Sequence, residues 1–254
     1  MSPVSSLRRN GSDLLSAILF LTRIPAPSPP YEPDSLSRAV KFFPLVGAII
    51  GGAAALLHHF LVPHLSRLPT ALIVLVFLVW LTGCLHEDGL ADTADGFGGG
   101  RNHQQILLIL RDSRIGSYGA AALALSLLAR LILIASLPLA HIACYLISAH
   151  ILCRWTTLPL SYFLPSAREG EGQGARVAQL TTRTSLIVGT LFSFAVVGYL
   201  LHWQAIASIL SAIVVTTLSA RFYKRKIGGV TGDCFGATNQ LTEVAIYLCG
   251  VWAA

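Results

Sequence analysis

Apolar stretches of about 20 residues, the length at which a helix crosses a bilayer, recur along this chain with short polar connections between them. Hydrocarbon offers backbone N–H and C=O groups no water, so such stretches satisfy themselves as helices. The fold class that follows is all-α, a polytopic transmembrane helical bundle forming one membrane-embedded domain over residues 1–254. Composition agrees: 12% of residues are charged, where about a quarter is usual in soluble domains. Six spans are expected, at 41–62, 70–86, 117–137, 139–162, 185–201 and 205–223. A more polar seventh at 235–254 carries Asn239, Gln240, Thr242 and Glu243, which suit a helix facing the bundle interior. Residues 11–22 are apolar but too short to cross; with Ser12 and Asp13 as N-caps they predict an interfacial helix. Arg23-Ile24-Pro25 follows in place of a small-residue cleavage site, so no cleavable signal peptide is expected.

The basic residues set the orientation. Arg8, Arg9, Arg23, Arg38 and Lys41 precede or open the first span, and Arg101, Arg111 and Arg114 follow the second. Arg168, Arg176 and Arg183 follow the fourth, Arg221, Lys224, Arg225 and Lys226 close the sixth, and the alternate connections hold only Arg67. The N-terminus and the charged loops are therefore expected in the cytoplasm. A net charge of +6 spread over membrane flanks, without aromatic interleaving, points to a lipid bilayer as partner and to no nucleic acid. Five cysteines without paired spacing read as small apolar residues.

The chemistry is expected where His86-Glu87-Asp88-Gly89-Leu90-Ala91-Asp92-Thr93-Ala94-Asp95-Gly96 packs four carboxylates into nine residues. Like carboxylates resist ionising side by side, and a hard divalent cation relieves the repulsion. At about 100° per residue, a continued helix puts Asp88, Asp92 and Asp95 within roughly a 60° arc, while Glu87 points elsewhere. An oxygen-rich set suits Mg2+ better than zinc, so Asp88, Asp92 and Asp95 are the expected metal ligands, with Glu87 either supporting them or joining them as a ligand if the backbone loosens at Gly89. A solvated helix end is the simpler reading of such a motif, and three acids at helical spacing in a charge-poor chain argue against it.

Two more stretches fall on the same expected side. Residues 111–119 offer Arg111 and Arg114, whose guanidiniums fit phosphate oxygens bidentately, beside Asp112. Residues 228–236 follow Lys224 and Arg225 and combine glycines with Thr231 and Asp233. With the acidic motif they outline a metal and diphosphate site, with Arg111, Asp112, Arg114, Lys224, Arg225 and Thr231 toward phosphate. Gly96-Phe97-Gly98-Gly99-Gly100-Arg101 reads equally as a phosphate cradle or a flexible connector. Arg130, His150 and Arg154 fall inside expected spans and require partners there, of which Glu243 is the obvious one. Gly47, Gly51 and Gly52 permit close helix packing.

At this point the chain resembles a known family. Residues 86–96, 111–119 and 228–237 look like the three signature blocks of the cobalamin synthase family, adenosylcobinamide-GDP ribazoletransferase. Phe20-Leu21-Thr22-Arg23-Ile24-Pro25 and Phe42-Phe43-Pro44-Leu45-Val46-Gly47 resemble its N-terminal blocks, in the same order. The resemblance implies a multi-pass, Mg2+-dependent enzyme of the bacterial cytoplasmic (inner) membrane with its active site facing the cytoplasm. It also implies the substrates, adenosylcobinamide-GDP and α-ribazole or its 5′-phosphate, with GMP released. Homo-oligomers or assemblies with other enzymes of cobalamin synthesis fall within what it allows. On this reading Asp88, Asp92, Asp95 and Asp233 carry catalysis, with Asp95 or Asp233 as the base. The alternatives differ in pattern: a CDP-alcohol phosphotransferase has an Asp-Gly-x-x-Ala-Arg core, a membrane prenyltransferase two acidic clusters, and a transporter its charges near the bilayer midplane.

Overall fold

In the computed structural model, residues 3–29, 32, 35–168 and 181–253 are described; Arg176, used above for orientation, lies outside them. The described secondary structure is helical throughout, apart from one parallel bridge between Ser166 and Val230. The helices are α1 (Pro3–Leu21), α2 (Ser35–Ala39), α3 (Phe43–Leu61), α4 (Arg67–Thr82), α5 (Leu85–Gly99), α6 (His103–Ile109) and α7 (Ser117–Ser136). They continue as α8 (Ile142–Trp155), α9 (Thr157–Phe163), α10 (Arg183–Leu201), α11 (Ala205–Ile227) and α12 (Gly232–Trp252).

Length and apolar character qualify three stretches as membrane spans, Ser35–Leu61, Ser117–Ser136 and Arg183–Ile227, and a fourth if α4 and α5 count together. Exposed Leu56, Phe60, Val76, Trp80, Leu125, Leu191 and Leu218 clothe the outside, as lipid-facing side chains would. The core lies where α8 and α12 meet α3, α5 and α7. Gly47 and Gly51 on α3 lie directly against the backbone of α8 at His150, Leu146 and Ile147, so any larger residue would push the helices apart. Gly52, grouped with them on sequence, faces open space.

Three boundaries differ from the sequence expectation. Ser12 and Asp13 lie well inside α1 and cap nothing, because the helix begins at Pro3, a residue suited to the first turn. Buried Asp13 instead pairs with Arg38 at 3.1 Å and Lys41 at 3.2 Å, tying α1 to the entry of α3. The expected span 70–86 ends early: Gly83 (φ 64°) and Cys84 (φ 60°) are both left-handed, and α5 leaves α4 at 86°. The expected span 139–162 is divided at Thr156 into α8 and α9.

Candidate functional site

The bend at Gly83-Cys84 turns the acidic motif away from the apolar run, and the motif forms α5, with too many acids to cross a membrane itself. Its position is set by glycine contact. A Cβ on Gly89 would stand 3.1 Å from Gly236 Cα, and one on Gly236 would stand 3.1 Å from Gly89 Cα. Backbone therefore meets backbone where α5 crosses the first turn of α12. Asp88 and Asp92 of α5 are thereby placed beside Asp233 of α12, and both line cavities with or near it. Thr231 fixes Asp233: its hydroxyl accepts from the Cys234 amide at 3.4 Å and donates to Asp233 Oδ2 at 3.1 Å.

Electrostatics separate these acids from the rest. Burial, then the charges of Asp88, Asp233 and Asp95, push the Asp92 carboxyl up to about 6. Burial also raises Asp233 against the pull of Arg168. Arg168 is the cation that sequence reasoning used only for orientation. Its Nη2 donates to Leu110 O at 3.1 Å and to Asp233 Oδ2 at 3.4 Å. It reaches the site because residues 165–168 are stitched to 229–231, with Val230 N donating to Pro165 O and Ala167 N to Val230 O, each at 2.9 Å. Only a long-range pairing reveals this, although an arginine six residues past an expected span, just beyond Pro165-Ser166, was the available signal.

Two of the expected metal ligands are engaged elsewhere. Asp95 accepts from Gly116 N at 2.7 Å through Oδ2 and from Gly119 N at 2.8 Å through Oδ1. It thus caps the N-terminus of α7, whose orphan amides and dipole favour an anion. Glu87 faces inward: its Oε1 accepts from Arg130 Nη1 at 2.6 Å, and Arg130 Nε donates to Glu243 Oε1 at 3.0 Å. Gln240 and Ser126 complete the cluster. Arg154 lies close by, with Nη1 bonded to His150 Nδ1 at 2.9 Å. The sequence-expected pairing of Arg130 with Glu243 is therefore present, with Glu87 as a second partner.

Among the described residues, the one trio with ligand atoms all within 4.8 Å of one another is His150, Cys153 and Glu243. It is a poor cation site, because Arg154 Nη1 already bonds His150 and approaches Cys153 Sγ at 3.2 Å, and Arg130 holds Glu243. The Asp88, Asp92 and Asp233 oxygens are not so tightly gathered.

The remaining expected phosphate contacts divide. Arg114 clasps Asp112, Nη2 to Oδ2 at 2.6 Å, in an exposed loop, which holds Asp112 down at about 2 through that hydrogen bonding. Arg111 is exposed in the same loop. Lys224 and Arg225 are exposed on α11, and Arg225 lines a basic groove with Arg221 and Lys226, apart from the acids. Gly96, Gly98 and Gly99 are helical, and Gly96 and Gly98 pack against Leu110 and the Tyr118 ring, so only Gly100 and Arg101 of this run belong to the connection between α5 and α6.

Two cavities flank α5. One, of about 180 Å³, has Asp88 and Asp233 beside Phe20, Phe43 and Phe235. The other, of about 230 Å³, is lined by Glu87, Asp88, Asp92, Ser113 and Ile115 among others. Asp88 borders both.

Comparison with known proteins agrees with the motifs. The family CobS, described as cobalamin-5-phosphate synthase, matches residues 13–251. A protein of Azorhizobium caulinodans, 42% identical over 94% of this chain and 95% of its own, is named adenosylcobinamide-GDP ribazoletransferase. So are proteins of Sinorhizobium medicae (40% identical, 96% and 97% covered) and Pseudoalteromonas atlantica (37%, 92% and 89%). No solved structure matches the chain. With nearly its whole length covered both by the family pattern and by these relatives, the chain belongs to the cobalamin-5-phosphate synthase family.

Proposed function

We propose that this chain is a transferase joining adenosylcobinamide-GDP to α-ribazole or α-ribazole 5′-phosphate, with release of GMP, the last assembly step of cobalamin. The relatives' shared name supports the substrates. The observation that carries the chemistry is the glycine contact that sets Asp88 and Asp92 beside Asp233.

The donor set is all oxygen, its like charges add to burial in raising Asp92, and it has Arg168 as a counter-charge, so it fits Mg2+. Asp88 and Asp92 would hold the metal, which when bound would neutralise the diphosphate and the charge growing on departing GMP. Glu87 and Asp95, expected as ligands, act on this reading by holding α5 in place.

The reaction is in-line displacement. The 3′-hydroxyl oxygen of the ribazole bonds to the cobinamide-linked phosphorus, the bridging P–O bond breaks, and its electron pair leaves with GMP. The hydroxyl proton passes to a carboxylate. Asp233 suits this better than Asp95, because burial raises it and both oxygens of Asp95 already accept amide protons. Arg168 stands where a guanidinium can turn from Asp233 to a phosphate oxygen, and Arg111, with Arg114 if freed from Asp112, can add to it.

The same reading makes the chain one membrane-embedded catalytic domain of the bacterial inner membrane, with its site toward the cytoplasm. A count of six or seven spans is supported by His202, whose positive φ (51°) interrupts the stretch Arg183–Ile227. Both ends of that stretch also adjoin the same region: Gly189 packs on Leu158, and Val230, just past α11, pairs with Pro165. Buried polar Thr238, Asn239, Gln240, Thr242 and Glu243 on α12 suit a helix enclosed by others, and α1 suits the interface.

The test is GMP release by purified protein supplied with both substrates, with and without Mg2+. Dependence on both substrates and Mg2+, with cobalamin product formed in step, is expected. A folded wild type that releases no GMP would overturn the assignment.

A further inference from the structure

The transfer needs two substrates brought to one phosphorus from opposite directions, and two cavities reach Asp88. At about 100° per residue, Leu85, His86 and Gly89 lie on one flank of α5 and Glu87 and Ala91 on the other, with Asp88 and Asp92 between them. The first flank borders the 180 Å³ cavity and the second the 230 Å³ cavity.

The first cavity has a wall unlike anything else near the acids. Phe20, Phe43 and Phe235 face it together with Leu21 and Leu85. Phe43 is 2% and Phe235 8% exposed, and the Phe20 and Phe43 rings lie 5.7 Å apart at 17°, close to parallel. Asp88, Asp233, His86 and Thr157 are the polar residues that line it. Such a space favours a ligand that is flat and apolar at one end and carries hydroxyls at the other. At about 180 Å³ it has room for a fragment of a substrate, since pockets that enclose drug-sized ligands run to about 300–1,000 Å³.

We infer that this cavity is the subsite for the aromatic base of the acceptor. The flat bicyclic base of the ribazole lies against Phe20 and Phe43, and its ribose hydroxyl is presented to Asp233 beside Asp88. The inference rests on the function proposed above and deepens it. The donor diphosphate then enters from the second flank, past Ser113 and Asp92, so that the entering oxygen and the departing GMP stand on opposite sides of Asp88. The two N-terminal motifs, which carry Phe20 and Phe43 and no ionisable group in this cavity, acquire a role in acceptor selection.

The test uses free benzimidazole as probe, with the full-length protein in detergent. Calorimetry should show benzimidazole binding to wild type, and steady-state kinetics should show inhibition competitive with α-ribazole and not with adenosylcobinamide-GDP. Leu85→Trp fills the cavity from its exposed edge, and should weaken benzimidazole binding and raise the acceptor KM by about ten-fold, with the donor KM unmoved. Phe20→Leu, which removes a ring without filling space, should also weaken benzimidazole, and guards against misfolding of the bulkier variant. Inhibition competitive with the donor, or a rise in donor KM equal to that of the acceptor, would overturn the subsite. So would benzimidazole binding that neither variant alters, as expected if the cavity holds a lipid chain. Absence of any turnover by wild type would instead count against the proposed function, and calorimetry would still report on the cavity.

Discussion

Two groups of charges lie within a few residues of one another on α5 and are treated in opposite ways. The inward group, Glu87 with Arg130, Arg154, His150 and Glu243, is buried, and each formal negative faces a guanidinium. The outward group, Asp88, Asp92 and Asp233, has more negative charge than Arg168 can match. Adjacent positions, 87 and 88, thus fall to different purposes. A balanced buried cluster holds helices in register, whereas an unbalanced one at a cavity is a place for a cation or a substrate to complete.

Breaking the balanced group should have the largest effect on stability. Arg130→Met leaves Glu87 and Glu243 without their shared guanidinium, and is expected to destabilise the fold by about 3–5 kcal/mol, seen as a lowered melting temperature in detergent. Adding Glu243→Gln should recover part of that loss; no recovery would mean that Arg130 acts by packing alone. The unbalanced group should respond in the other currency. Asp88→Asn or Asp92→Asn should reduce GMP release by more than the roughly 10–100-fold of outer-shell changes, with melting temperature and membrane insertion kept. Near-normal activity in both would remove the acids from the chemistry.

Asp95 sharpens the boundary between the two. If it is a cap, Asp95→Ala should destabilise by about 3 kcal/mol, as for two hydrogen bonds to a charged acceptor, and speed amide exchange at Gly116 and Gly119. A variant that keeps slow exchange there but loses Mg2+ activation would return Asp95 to the ligand set. The smallest effect expected is that of pH. Without divalent cations, Asp92 holds its proton up to about 6 in the fold but only to about 3.8 when unfolded. The folded state then binds more protons in between, so stability falls as pH rises from 4 through 6 and levels off above. Asp92→Asn should flatten that slope, and a slope unchanged by the substitution would place the titration elsewhere.

Much of this was legible in the sequence because hydropathy and helical spacing are local. The first and third expected spans, 41–62 and 117–137, correspond closely to α3 and α7. The acidic motif was recognisable by charge in an apolar chain, and Glu243 by its place among apolar residues. What escaped was set by tertiary contact. Gly83 marks the end of α4 as a C-cap glycine can, but the left-handed Cys84 that completes the bend gives no sign, because a non-glycine residue is not expected at positive φ. The shared face of Asp88, Asp92 and Asp95 was drawn correctly as helical geometry, yet seven residues carry Asp95 far enough along α5 to meet α7. Asp233, 141 positions beyond Asp92 in the numbering, joins the acids only because two glycines touch.

That glycine contact has a consequence for precision. The distance between the two acid-bearing helices is set by main chain against main chain, with no side chain between them to change rotamer. Thermal motion of the bundle therefore changes that spacing only through movement of whole helices, which is slower than side-chain hopping. A site that must hold a phosphorus in line between two large substrates thus carries its ruler in the backbone, and a single methyl group at residue 89 or 236 would change the gauge without touching an acid.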